Sequence, residues 1–129
     1  MKRQKFTHRA VPLAMATLFA LTGCSGSGGS GKTETRTDPV TGPVTVSRDG
    51  SVLTVTADWG GCDEAPRLRA SETSTTVSLT VRVTTRTGRG VVCPADARSG
   101  PARVTLREAL GSRTVTDGTT GRRLPHGKA

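Results

Sequence analysis

A run of nine alternating residues restricts the fold more than any other feature of the sequence. Apolar side chains occupy every second position of residues 76–84, namely Val77, Leu79, Val81 and Val83. A period of two places such side chains on one face of an extended strand. The run therefore predicts a β-strand that is buried on one face only.

A second alternating pattern surrounds the dipeptide Asp49-Gly50, which is a strong signal for a β-hairpin. A two-residue turn at this dipeptide places Arg48 opposite Ser51. The same register brings apolar residues together on one face, Val46 with Leu53 and Val44 with Val55. Because register and apolar pattern agree, we expect a hairpin that starts near Val44.

Shorter stretches with strand character lie at residues 67–71, 90–93, 102–107 and 113–116. Residues 106–110 are alternatively predicted to form one helical turn that Gly111 ends. Short strands separated by Gly, Pro and Asp turns indicate an all-β domain. We expect a small disulfide-braced β-sandwich, with a small β-barrel as the alternative.

The first 23 residues have the composition of a secretory signal peptide. Its basic start is followed by a predominantly apolar run, residues 10–21, which is too short to cross about 30 Å of hydrocarbon as a helix. The basic residues of this leader are Lys2, Arg3, Lys5 and Arg9. Removing these four lowers the formal charge of the chain from +9 to +5, so almost half of the basicity belongs to the leader.

The apolar run ends in Leu21-Thr22-Gly23-Cys24, which resembles the lipobox of bacterial lipoproteins at every position of that motif. The resemblance implies that the peptide is cut before Cys24 and that Cys24 carries a diacylglyceryl thioether. It also implies a protein that acyl chains hold at the extracytoplasmic face of the cell membrane. The alternative is an ordinary signal peptide that is cut near a free Cys24.

The chain has three cysteines, an odd number that needs explaining in an exported protein. Lipidation of Cys24 leaves Cys62 and Cys93 as an even pair. Because the compartment outside the cytoplasm is oxidising, we expect a disulfide between these two residues. It would close a loop of about thirty residues and brace a small core of Val, Leu and Ala.

Composition divides the chain into four segments. A flexible linker is expected because residues 25–31 are Ser and Gly, and because residues 32–43 stay polar and contain two prolines. The expected segments are a signal peptide over 1–23, the lipidated cysteine and linker over 24–43, a β domain over 44–125 and a C-terminal tail over 126–129.

Residues that could support catalysis are scarce after the leader. His126 is the one histidine there, and it lies close to the C-terminus. A Ser-His-Asp triad needs a positioned base, and a zinc site needs three or four ligands. We therefore expect no enzyme activity, no catalytic residue and no cofactor beyond the lipid on Cys24.

Three carboxylates, Asp58, Asp63 and Glu64, lie within seven residues. Oxygen ligands of this type bind calcium, so one functional prediction is a calcium- or small-ligand-binding module at this loop. The alternative is a solvated loop whose acids are neutralised by the nearby Arg67 and Arg69.

Trp59 is the one aromatic residue after the leader, and it lies three positions from Cys62. It falls on the apolar side of its predicted strand. One interpretation is a core side chain packed against the disulfide, as in many β-sandwiches. The other is a platform for a ligand.

Arg82, Arg103 and Arg107 take the outward positions of their predicted strands. If they share a face, they form an anion-binding surface for anionic lipid headgroups, for an anionic polymer of the envelope or for an acidic protein. Nucleic acid is not expected, because an extracytoplasmic location is wrong for it and because aromatic residues for base stacking are almost absent after the leader. The main functional prediction is therefore a non-enzymatic binding or structural module of the cell envelope. The alternative is that arginine serves only as a solubilising charge.

Residues 104–124 resemble the ending of small secreted or lipid-anchored actinobacterial proteins of unknown function. The similar features are the Leu-Gly-x-Arg step from Leu110 to Arg113 and the Asp-Gly-Thr-Thr-Gly turn from Asp117 to Gly121. The resemblance implies no particular activity.

Overall fold

The computed structural model describes residues 31–129, in which the chain forms eight β-strands and no helix. The expected signal peptide, Cys24 and most of the Ser/Gly stretch lie outside the described residues. In the described part, no helix has the length and apolar character to span a membrane. The strands are β1 (Lys32–Asp38), β2 (Val44–Val46), β3 (Val52–Gly60), β4 (Arg67–Glu72), β5 (Thr76–Thr87), β6 (Ala97–Thr105), β7 (Thr114–Asp117) and β8 (His126–Lys128).

The first sheet is built around the long strand β5. Strand β4 pairs antiparallel along one side of β5. Two strands pair with different parts of the other side of β5. Strand β1 pairs antiparallel with residues 81–87, and β7 pairs parallel with residues 76–79. The alternate apolar residues of β5 are buried, which confirms the half-buried strand predicted from the period of two.

The second sheet has the strand order β6-β3-β2-β8, with β8 parallel to β2 and the other pairs antiparallel. Val46 lies opposite Leu53, so the predicted hairpin register is confirmed. The predicted two-residue turn is wrong, because Arg48 lies inside a four-residue turn that is closed by a 2.9 Å bond from the Gly50 N–H to the Ser47 carbonyl. Gly50 has a φ of 77°, a conformation that favours glycine.

The Asp49 side chain stabilises this turn from within. Its carboxylate accepts hydrogen bonds from the hydroxyls of Ser47 and Ser51 and from the Ser51 N–H. These bonds, the Ser47 hydroxyl first, lower the pKa of Asp49 to about 2. The Asp-Gly pair therefore fixes the turn through both its carboxylate and its glycine.

The core lies between the two sheets, which remain separate. It contains sixteen buried Val, Leu and Ala side chains drawn from both sheets and from the loops. The all-β prediction is confirmed, and the two separate sheets form a sandwich rather than a closed barrel.

The predicted domain boundaries need correction at both ends. Residues 32–43 are not a linker, because β1 pairs with β5 over seven residues and Val40 is 2% exposed in the core. The expected tail at residues 126–129 contains β8, which pairs with β2. The folded region therefore extends from β1 to β8 instead of covering residues 44–125 only.

The shorter predicted strands have mixed outcomes. Residues 67–71 and 113–116 correspond closely to β4 and β7, and residues 102–107 overlap the second half of β6. The strand predicted at residues 90–93 is wrong, because residues 91–96 form an irregular loop between β5 and β6. The alternative helical turn at residues 106–110 is also absent from the described fold.

The predicted disulfide between Cys62 and Cys93 is present, with the two Cα atoms 4.9 Å apart. It joins the β3–β4 loop to the β5–β6 loop. Each of these loops connects a strand of one sheet to a strand of the other sheet. The bridge braces the end of the sandwich at which β3 and β5 finish.

Asp117 is the one buried charged residue in residues 31–129, and it is 1% exposed. Its Oδ1 accepts the Val40 N–H at 2.9 Å, and its Oδ2 accepts the N–H and hydroxyl of Thr120 at 2.8 and 2.6 Å. Desolvation works to raise the pKa of Asp117, but these hydrogen bonds outweigh it and hold the pKa below its usual range. The carboxylate thus joins the β1–β2 connection to the turn after β7.

Arg113, which directly precedes β7, has a structural role comparable to that of Asp117 at the end of the strand. Its side chain is 9% exposed and bonds to Glu72 Oε1 at 3.1 Å. It also donates to the carbonyl oxygens of Thr73, Glu108, Ala109 and Leu110. The two motifs behind the C-terminal resemblance therefore each contain a residue that holds loops in place.

Candidate anion-binding face

Three exposed arginines lie side by side on the outer face of the first sheet. Arg82 lies on β5 directly opposite Arg67 on β4, and Arg69 lies two residues further along β4. Their neighbours Leu68, Val81 and Val83 point into the core, so all three arginines point outward. We call Arg67, Arg69 and Arg82 the arginine face.

The spacing within this face is short. Directly opposite residues of an antiparallel pair have Cβ atoms about 4.5–5.5 Å apart, and diagonal neighbours lie about 7–8 Å apart. Like charges placed directly opposite each other destabilise the strand pair. The Arg67–Arg82 pair therefore concentrates positive charge at a cost to the sheet.

No acidic side chain forms an ion pair with this face within the described residues, although Glu64 lines the same depression. The five ion pairs of residues 31–129 involve Arg36, Arg98, Arg107 and Arg113, and none involves the arginine face. An anion at the face would therefore not need to displace an existing carboxylate. This distinguishes the arginine face from the other arginine clusters described below.

The surface around the arginine face is polar and slightly concave. The three arginines line a depression of about 230 Å³ together with Thr35, Glu64, Ala65 and Thr84. The hydroxyls of Thr35 and Thr84 lie 3.3 Å apart across the β1–β5 pair. Guanidinium groups next to hydroxyls form a donor-rich surface that suits phosphate or carboxylate oxygens.

The predicted face of Arg82, Arg103 and Arg107 is wrong as a set. Arg103 is exposed on β6, on the outer face of the second sheet, so the core lies between it and Arg82. Arg107 lies beyond β6, where its Nε is 3.5 Å from Glu72 and its backbone N–H donates to the same carboxylate. Only Arg82 belongs to the arginine face.

Sequence reasoning missed Arg67 and Arg69 as members of this face because it assigned them to neutralising nearby acids. The local signal was present, since both alternate with the apolar Leu68 and Ala70. What the sequence lacked was the pairing of β4 with β5, which brings Arg67 next to Arg82.

The structure does not assemble the predicted calcium site. Both oxygens of Asp63 are bonded to the Arg36 guanidinium, at 3.1 and 2.9 Å, and Oδ1 also accepts the Thr85 hydroxyl. The Arg36 bond and then the Thr85 bond hold the pKa of Asp63 well below its usual range. In the part of the chain described here, no group of three or more His, Cys, Asp or Glu side chains is placed to hold a metal ion.

The other two carboxylates of that loop point elsewhere. Asp58 is exposed on β3, and Glu64 lies beside the arginine face. Arg67 and Arg69 form no ion pair with any of these acids in residues 31–129, so the predicted pairing partners are wrong although the loop does contain a surface ion pair. Arg36, which lies in the region expected to be a linker, is the residue that neutralises Asp63.

Trp59 is half-buried and lies outside the buried core, so the prediction of a core side chain is wrong. The Arg98 guanidinium carbon lies 5.7 Å from the centre of the Trp59 ring, a cation–π arrangement. Arg98 is in turn 3.2 Å from Asp96. Trp59 thus borders an open depression whose lining contains two arginines and three aspartates, among them Arg36 and Asp63.

Comparison of the chain with protein-family models, with curated proteins and with solved structures found no match.

Proposed function

We propose that this chain is a membrane-anchored lipoprotein whose β-sandwich binds an anionic polymer of the cell envelope through the arginine face. The anchor is the lipid expected on Cys24, and the site is extracytoplasmic. The binding is non-enzymatic.

One observation carries the binding proposal: Arg67, Arg69 and Arg82 are adjacent, exposed and unpaired with any acid in residues 31–129. Charge used only for solubility is best distributed, because like charges opposite each other weaken a sheet. A polymer with repeated phosphate or carboxylate groups would contact several guanidinium groups at once and relieve their repulsion.

The anchor proposal is supported by the lipobox resemblance and by the even pairing of the other two cysteines. Cys62 and Cys93 form a disulfide, which leaves Cys24 as the one cysteine for lipidation. Mass spectrometry of the membrane fraction tests it. The N-terminal peptide is expected to begin at Cys24 and to carry a diacylglyceryl group, and Cys24→Ser is expected to abolish this species.

The binding proposal is tested by titrating the lipoprotein, in a non-ionic detergent, with long-chain inorganic polyphosphate as the probe. Arg67→Gln with Arg82→Gln removes two charges from the arginine face. Because an exposed ionic contact contributes about 0.5–1 kcal/mol, we expect affinity to fall about 5- to 30-fold.

The matched control is Arg48→Gln with Arg103→Gln, which removes the same charge from exposed positions on the second sheet and its hairpin. It is expected to change affinity less than twofold. Equal losses in the two double variants would instead mean that arginine acts only through net charge.

A further inference from the structure

The start of strand β1 and one particular loop lie at the same end of the sandwich. β1 enters the first sheet with Lys32 opposite Thr87, the last residue of β5. The β5–β6 loop, residues 88–96, begins immediately after Thr87. The segment that leads back to Cys24 therefore leaves the domain beside this loop.

The distance from Cys24 to the domain is short. Only seven residues, 25–31, separate Cys24 from Lys32. A Gly/Ser chain of this length has a typical span of about 15 Å and a fully extended reach of about 28 Å. Strand β5 alone is twelve residues long, which corresponds to about 40 Å. An anchored domain would therefore keep the β5–β6 loop near the bilayer and the opposite end away from it.

The β5–β6 loop has the chemistry of a membrane-contact surface. Val92 is 90% exposed, and it is the one large apolar side chain that is exposed in residues 31–129. Arg86 lines the same depression as Val91 and Val92, and Arg89 lies in the loop itself. Such a combination of exposed apolar and basic side chains suits the interface of an anionic bilayer.

Two acidic residues close to the loop already form ion pairs. Asp63 is bonded to Arg36, and Asp96 is 3.2 Å from Arg98. Arg86, Arg89 and Lys32 form no ion pair within the described residues, and neither do the exposed acids at this end, Glu34, Asp58 and Glu64. Within the loop itself, residues 88–96, the one acid is Asp96, which is paired, so the unpaired charge of the loop is the positive charge of Arg89.

The disulfide holds this loop in one position. Cys93 follows Val92 directly and is bonded to Cys62. A loop that is already restrained loses less conformational freedom when it docks on a surface. The bridge therefore presents Val92 at the end of the domain and reduces the entropic cost of contact.

We infer that the β5–β6 loop is a membrane-contact surface, with Val92, Arg86 and Arg89 docking on an anionic phospholipid bilayer. The inference rests on the proposed lipid anchor at Cys24. It adds an orientation to that proposal. The strand ends next to the β5–β6 loop face the membrane, and the arginine face points parallel to the membrane surface.

The test uses the acylated full-length protein in phosphatidylglycerol or phosphatidylcholine vesicles, with vesicle flotation to measure anchoring and hydrogen–deuterium exchange to measure contact. Exchange in residues 88–96 is expected to slow in phosphatidylglycerol vesicles, while residues 73–75 at the opposite end stay unchanged. Arg86→Gln and Arg89→Gln are each expected to lower the ratio of docked to undocked protein about fivefold. Val92→Ser is expected to lower it as well, and Arg103→Gln is the matched charge control.

The two proposals fail in different ways. Protein that floats with the vesicles but shows equal exchange in residues 88–96 with either lipid overturns the docking surface and leaves the anchor intact. Protein that does not float removes the anchor and the docking surface together.

Discussion

The substitution Asp117→Asn tests how the sandwich is held together, because it changes one buried carboxylate and almost no volume. An amide nitrogen cannot accept a hydrogen bond. In either orientation of the asparagine, a donor therefore faces the Val40 N–H or the Thr120 N–H, both of which now bond to carboxylate oxygens. The strong bonds to a charged acceptor are lost as well.

The expected magnitude follows from these contacts. One buried donor without an acceptor, together with the loss of a charged acceptor, costs about 3 kcal/mol. For a domain of this size, that corresponds to a fall in Tm of about 12–24 °C. Circular dichroism melts at pH 7 measure it, with Asp58→Asn as the control because Asp58 is exposed.

The same variant gives a pH test. Because folding lowers the pKa of Asp117, the carboxylate stabilises the fold fully above its unfolded pKa of about 3.9. That stability is lost as the pH falls through the lower folded pKa. The difference in Tm between the protein and Asp117→Asn is therefore expected to shrink in acid. A difference below about 2 °C at pH 7, or one that is independent of pH, would refute this reasoning.

Three further predictions concern stability. Reduction of the Cys62–Cys93 disulfide, whose cysteines are 31 residues apart, is expected to lower the free energy of unfolding by about 3–4 kcal/mol. In a thermal melt with reductant, the Tm is then expected to fall by at least about 12 °C. An unchanged melt would count against a stabilising bridge. Arg113→Lys keeps the charge but cannot reproduce the bonds to Glu72 and the loop carbonyls, so it is expected to cost about 2–3 kcal/mol in urea unfolding. An Arg107→Lys variant should unfold like the parent protein. Asp63→Asn is expected to lower the Tm equally with calcium and with a chelator, because Asp63 bonds to Arg36; a loss seen only with calcium would restore the calcium site.

Much of the fold could be predicted where the signal was local. The hairpin register and the half-buried strand β5 follow from a period of two and from the Asp-Gly turn, which involve residues close in sequence. The short β4 and β7 also alternate locally. In each case, one buried face imposes a pattern that the sequence displays.

The missed strands have no such pattern. Strand β1 contains no apolar residue, and its side chains are exposed apart from the half-buried Asp38. It is held by backbone pairing with β5 and by the bonds of Arg36 to Asp63, not by burial of apolar surface. Strand β8 is equally polar. Hydrophobic periodicity cannot detect strands of this kind, which lie at the edges of sheets.

The candidate site failed for a related reason. The alternation of outward and inward side chains along a strand correctly identified Arg82 as exposed. This alternation does not determine which sheet the strand joins. Arg103 has the same parity on the opposite sheet, whereas Arg67 becomes a neighbour only through the β4–β5 pair. Long-range strand pairing therefore decides which charges share a face.

The salt dependence of polyphosphate binding tests the arginine face most directly. The logarithm of the binding constant falls linearly with the logarithm of salt concentration, by about 0.7 for each contact with a flexible polyanion. Three contacts predict a slope of about −2 for the lipoprotein, and Arg67→Gln with Arg82→Gln is expected to reduce it to about −0.7. The double variant Arg48→Gln with Arg103→Gln should keep the original slope. One common slope for all three proteins would contradict a binding site at Arg67, Arg69 and Arg82.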